Sequence, residues 1–195
     1  MKKWSFLLAV LVLIAFFSFN KKDTKEEFTK QYTKEEIYES FQDKILNISS
    51  YECIAEVCVS GNKTPTNYSF KHTYKKPDSY KVEVLSPESV KGKVIEFNSN
   101  KLTINNPNVE DKIVFEDYQN KFLFIGNFIA NYSYDSAIID EDDKFLIITK
   151  DMPNDYFNKQ ILYVNKKTKL PQKMQIIDIN GNTRFDIIYK DFKTL

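Results

Sequence analysis

The sequence predicts an α+β domain: a strongly curved antiparallel sheet of about ten strands, with two amphipathic helices against its concave face. Three observations carry that expectation. The last third of the chain alternates apolar and polar residues through Gln160–Val164, Leu170–Asp178 and Thr183–Phe192, the period of a β-meander. Only the segment after Thr33 and the segment Gln119–Tyr132 repeat apolar residues at helical spacing. An antiparallel sheet this long cannot stay flat and open, so it curls and offers a concave apolar face for helices to plug.

The elements follow in chain order. Met1-Lys2-Lys3 is a short basic segment before the apolar run Trp4–Phe19. As a helix that run spans about 24 Å, short of the roughly 30 Å hydrocarbon core. Residues 1–20 therefore read as a signal peptide or an uncleaved N-terminal membrane anchor. No cysteine stands near the run to form a lipobox. Residues 21–32 are charged and poor in apolar side chains, the composition of a flexible tether. The folded domain is expected over residues 33–195. Thr33-x-x-Glu36 is a capping box, and Ile37, Phe41, Ile45 and Ile48 follow on one helical face.

At Ser50 the period changes to two. Tyr51, Cys53, Ala55, Val57 and Val59 share one face, with Glu52 and Glu56 on the other. Past the turn at Gly61–Pro65, Tyr68, Phe70, His72 and Tyr74 share a face. Lys76-Pro77-Asp78 turns the chain into Tyr80, Val82 and Val84, and Ser86-Pro87-Glu88 breaks that strand. Val94–Phe97 and Leu102–Ile104 flank the hairpin signal Asn98-Ser99-Asn100, and Ile113–Tyr118 is a further strand. Ile125, Phe128, Ile129 and Tyr132 set the second helix, despite Gly126, which weakens it by about 1 kcal/mol relative to Ala. Strands at Ser136–Ile139 and Phe145–Thr149 surround the acidic turn Asp140–Asp143. In the closing meander, Asn180-Gly181 marks a two-residue hairpin that would pair Ile177 with Arg184, Ile176 with Phe185 and Met174 with Ile187.

Composition narrows the function. The formal net charge is +1, and without Lys2 and Lys3 the remainder holds 26 basic and 27 acidic groups, so nothing attracts nucleic acid by charge. His72 is the single histidine, the 4 glycines build no phosphate loop, and neither zinc spacing nor a Gly-x-Ser-x-Gly elbow occurs. No catalytic residue, metal or cofactor is expected: the chain reads as a binding protein and not an enzyme. Cys53 and Cys58 point to opposite faces of one strand roughly 16 Å apart, which makes them free thiols. A Cys–His dyad would need His72 beside one of them, with the thiol activated; a strand histidine satisfied by a local partner is the plainer expectation. The aromatic concave face supplies the candidate cavity lining: Tyr68, Phe70, Tyr74, Tyr80 and Val82.

One resemblance rests on particular motifs. Tyr163-Val164-Asn165-Lys166-Lys167-Thr168, then Leu170-Pro171, Asp178-x-Asn180-Gly181-Asn182 and Tyr189-x-Asp191-Phe192 resemble the C-terminal hairpins of LolA-like proteins. Tyr74-Lys75-Lys76-Pro77-Asp78-x-Tyr80-Lys81-Val82 is similar to a strand start of the same superfamily. The resemblance covers residues 35–193 and is strongest to the clostridial spore germination proteins of the GerS type. It implies a half-open β-barrel with helices as a lid. It further implies a non-enzymatic protein of the spore envelope that binds and activates a cortex peptidoglycan amidase of the N-acetylmuramoyl-L-alanine type. The superfamily also contains carriers and sensors of lipoprotein acyl chains, so a lipid ligand is the alternative. Exposed strand edges invite strand addition by a partner or a strand-swapped homodimer. The chain departs from the resemblance in lacking a lipidated cysteine and in placing its sole arginine, Arg184, in the last hairpin.

Overall fold

A reciprocal pair of hydrogen bonds opens the folded chain. Thr33 N donates to Glu36 Oε2 at 3.0 Å, and Glu36 N donates to Thr33 Oγ1 at 3.2 Å. This capping box starts helix α1 (Lys34–Asn47), which buries Ile37, Tyr38 and Phe41. Ile48, just past its end, is buried with them. The computed structural model describes residues 32–195, apart from 62–63, 107–108, 110, 118–124, 126–127, 129–136, 153–154 and the side chains of 45–46. The expected leader (1–20) and nearly all of the expected tether (21–32) thus lie outside the described residues. Among the described residues, no helix is long and apolar enough to cross a membrane.

The strands are β1 (Ser50–Val59), β2 (Thr66–Lys75), β3 (Ser79–Ser86), β4 (Val94–Asn98), β5 (Lys101–Asn106), β6 (Asp111–Phe115), β7 (Ala137–Glu141), β8 (Phe145–Asp151), β9 (Phe157–Asn165), β10 (Pro171–Asp178) and β11 (Thr183–Thr194). They form one 11-stranded sheet in the order β6-β5-β4-β3-β2-β1-β11-β10-β9-β8-β7. Each neighbouring pair is antiparallel. The order describes two meanders. One runs outward from β1 to the edge strand β6, and the other runs inward from the edge strand β7 to β11. They join where β1 pairs with β11, with Ala55 opposite Tyr189 and Val57 opposite Ile187.

The second expected helix, Gln119–Tyr132, falls mostly outside the described residues. Ile125 and Phe128, described within it, are helical and buried. Two further expectations need correction. The sheet has 11 strands rather than about ten. The last hairpin pairs Met174 with Ile187 and Ile176 with Phe185, but Ile177 faces Thr183, not Arg184.

Asp178 is the cause of that register. Its Oδ1 accepts Asn180 N at 2.9 Å and Asn182 N at 2.8 Å, while its main chain pairs with Asn182 O at 2.9 Å. Gly181 N donates back to Asp178 O at 3.0 Å. The loop is therefore Ile179–Gly181 closed by an Asp178–Asn182 pair. Only Gly181 within it takes a positive φ, of 83°. A turn followed by a left-handed glycine is the three-residue solution to the hairpin, and it shifts the register by the one bulged residue.

The inner face of the sheet is apolar. Tyr51, Cys53, Ala55 and Val57 on β1 meet Leu146, Ile148, Leu162, Val164, Met174, Ile176 and Ile187 from the second meander in one core with α1. The outer face carries ion pairs instead: Lys71–Glu52, Lys81–Glu96, Lys173–Asp186 and Lys190–Glu56. Each is exposed enough to be worth only about 0–1 kcal/mol, so stability resides on the inner face.

Nothing lies within 4 Å of a Cβ built on Gly181. Gly181→Ala should therefore destabilise the protein through its backbone angle alone, by about 1 kcal/mol. Urea unfolding of the two proteins checks this; an unchanged midpoint would mean that the loop has another conformation.

Candidate functional site

The strands of both meanders converge on a cavity of about 180 Å3 in the inner face. Tyr68 and Phe70 of β2 stack at 5.7 Å on one side. Val82 of β3, Val57 of β1 and Ile187 and Tyr189 of β11 complete much of the apolar wall. His72 is the nitrogen-bearing side chain in that wall.

The five side chains expected to line a cavity divide into two groups. Tyr68, Phe70 and Val82 line it. Tyr74 and Tyr80 do not: they are fully buried in a row of rings that crosses the sheet. In that row Phe97 lies 5.8 Å from Tyr80, Tyr80 5.1 Å from Tyr74, Tyr74 5.3 Å from Tyr51, and Tyr51 4.7 Å from Phe192. Rings at these separations favour one another beyond their buried area, so the row is structural. Burial raises the Tyr74 and Tyr80 hydroxyls, and the charge of Asp78 raises both further. Sequence reasoning missed Ile187 and Tyr189, because they enter the cavity only through the pairing of β1 with β11. Their inward face was legible from the period of the last strand; their neighbours were not.

Cys53 and His72 are directly opposed across β1 and β2. The chemistry of a dyad is nevertheless absent. Burial, with the nearby Glu52 charge, pushes the Cys53 thiol up to about 12. Burial also pulls His72 down to about 3. A neutral imidazole beside a protonated thiol provides no thiolate nucleophile at neutral pH. His72 Nε2 instead lies 3.5 Å from Tyr51 Oη, with the two rings edge to face. Cys58 points away from the core side and is half-buried; both cysteines are free. Among the described residues, no group of three or more His, Cys, Asp or Glu could hold a metal ion.

Among the described residues, the sheet ends in two edge strands, β6 and β7. Every residue of β6 is exposed, including Ile113, Val114 and Phe115, and Val109 just before the strand is exposed as well. On the opposite edge Ile138 of β7 is 68% exposed. An apolar edge strand presents both unpaired backbone groups and greasy side chains to a partner.

A family model described as "Sporulation protein YdcC-like" matches residues 1–195. Among solved structures, the chain is 44% identical to the GerS lipoprotein from Clostridioides difficile, seen in complex with the CwlD amidase; the match covers 84% of this chain and 97% of that one, with a TM-score of 0.54. An uncharacterized conserved protein from Thermus thermophilus shares the fold at 11% identity, covering 81% of this chain and 87% of that one, with a TM-score of 0.51. A LolA superfamily protein from Nitrosomonas europaea aligns at 15% identity over 85% of this chain and 94% of that one, with a TM-score of 0.45. A search of curated proteins returns no match.

Two measurements test the inert core. His72 binds its proton more weakly folded than unfolded, so the stability it confers is complete above its ordinary value of 6.5 and is lost as pH falls toward about 3. His72→Leu should flatten the melting temperature over that window, while the native protein loses stability steadily; parallel curves would place His72 in contact with water. Iodoacetamide at pH 8 should spare Cys53 in the folded protein and modify it only after unfolding. Rapid native labelling at Cys53 would reveal an activated thiol.

Proposed function

The chain belongs to the sporulation protein YdcC-like family, and from that premise we propose that it is a non-enzymatic binding protein of the spore envelope that docks on a cortex peptidoglycan amidase and activates it. The observation that carries this reading is the 44% identity over 97% of GerS, a protein found bound to an amidase. The neutral Cys53–His72 pair agrees with a role without chemistry. In this reading residues 1–20 direct export and hold the protein at a membrane, in the space between the spore membranes.

The β6 edge is the proposed dock. Its exposed Ile113, Val114 and Phe115 would cover apolar surface on the partner while the backbone extends a partner sheet. The same edge would also serve a strand-swapped homodimer. The alternative, a carrier or sensor of lipoprotein acyl chains, has the cavity in its favour. The cavity's size weighs against it: about 180 Å3 compares with the roughly 150 Å3 that houses a single benzene, far less than a long acyl chain requires.

Co-expression with the host's cortex amidase should yield a stable complex, and amidase activity should fall when this protein is absent. Val114→Lys should weaken co-purification by about tenfold or more while leaving the melting temperature nearly unchanged, because Val114 is exposed on the edge strand. Full amidase activity without the protein, together with no complex, would refute the reading. Native mass spectrometry that finds a co-purified lipid would favour the alternative.

A further inference from the structure

Away from the β6 edge, an open groove of about 440 Å3 lies between Ser60 and Gly61, just past β1, and the β10–β11 hairpin. Val59, Phe157 and Phe185 are its half-buried apolar lining, and the two phenyl rings meet edge to face at 5.8 Å. Tyr156 and Ile179 line it as well and are largely exposed. Arg184, the sole arginine among 28 basic residues, stands among them.

The guanidinium of Arg184 is fixed in place. Its Nε donates to Asp178 Oδ2 at 2.6 Å and its Nη1 donates to Ser60 O at 3.4 Å. Asp178 is buried and its oxygens are crowded with donors, because they also accept Asn180 N, Asn182 N and Asn182 Nδ2. Burial alone would raise that carboxyl; the hydrogen bonds outweigh it and hold it down at about 2. Its negative charge is thus shared between the turn and the arginine. A guanidinium carries five N–H donors, and the two contacts above leave its outer fork open for further acceptors among the described residues. That fork is the geometry that grips a carboxylate through two parallel bonds, which a lysine cannot reproduce.

We propose that this groove binds the C-terminal residue of a partner polypeptide, with the chain-end carboxylate on the fork of Arg184 and an apolar side chain over Val59, Phe157 and Phe185. The source follows from geometry. An internal acidic side chain shares its side of an extended peptide only with residues two positions away, about 7 Å along the chain, so its carboxylate and the nearest same-side apolar group are held apart. A chain end carries its carboxylate and its own side chain on one Cα and can place both. Capture of a terminal carboxylate by fixed donors is a recurrent mode of peptide recognition. The site does not rest on the amidase reading, and either can fail alone.

The test is an NMR titration of the full chain with N-acetyl-Leu-Phe, its C-terminal amide, and a peptide blocked at both ends with an internal Glu-Ala-Phe. The free acid should shift the resonances of residues 156–157 and 178–185, and the amide and the blocked peptide should bind about tenfold more weakly or worse. Arg184→Lys should lose about tenfold in affinity for the free acid. Since that substitution also touches the hairpin, the acid-to-amide ratio on the unaltered protein is the decisive number. Ile179→Ala, at a residue 59% exposed, should weaken binding without changing the melting temperature. Equal affinity for acid and amide, equal affinity for the blocked peptide, shifts elsewhere, or no shift at millimolar peptide would each overturn the proposal. So would an N-acetylglucosamine oligomer that binds the groove more tightly than the free acid.

Discussion

The pairing of β1 with β11 is the interaction on which this fold depends. It runs from Tyr51 opposite Thr194 to Val59 opposite Phe185. Leu195 N adds a bond to Ser50 O at 2.9 Å beyond its end. Each meander alone is a set of local hairpins with one apolar face uncovered. Joining their inner strands turns two narrow sheets into one wide sheet, with β6 and β7 as its edges among the described residues. The cost is entropic, because residues far apart in sequence must meet before any of their contacts is made.

The two faces of the sheet perform different tasks. Rings and aliphatic side chains fill the inner face, and even its polar atoms are bent to that environment. His72 is held neutral, Cys53 protonated, and the Tyr189 hydroxyl is raised chiefly by burial. Low dielectric penalises every charged form there, so the core resists reactive chemistry. Outside, lysines and carboxylates alternate across neighbouring strands. Their pairs add little stability but keep a broad sheet soluble and in register.

Exposed apolar groups are found at the margins and ends of the sheet. The edge strand β6 is apolar on an exposed backbone, and the hairpin end carries a clamped arginine above an apolar groove. The β6 edge is separated from Phe97, the end of the ring row, by the single strand β5.

The amino-acid order by itself determined the local features. The Thr33–Glu36 capping box, the alternation that assigns Tyr51, Cys53 and Ala55 to one face, and the opposition of Met174 to Ile187 all depend on residues within a few positions or one turn of each other. Short-range sterics and hydrogen bonding settle such features. It misjudged the hairpin loop because the side chain of Asp178 competes with the backbone for the turn amides, a contest that the Asn-Gly signal alone does not report. Period two told which side Tyr74 and Tyr80 face, but not that other rings bury them while Tyr68 and Phe70 remain beside a void. Only the tertiary structure decided that, together with the meeting of β1 and β11, because strand partners are chosen by the free energy of the whole sheet and no single stretch of sequence contains that sum.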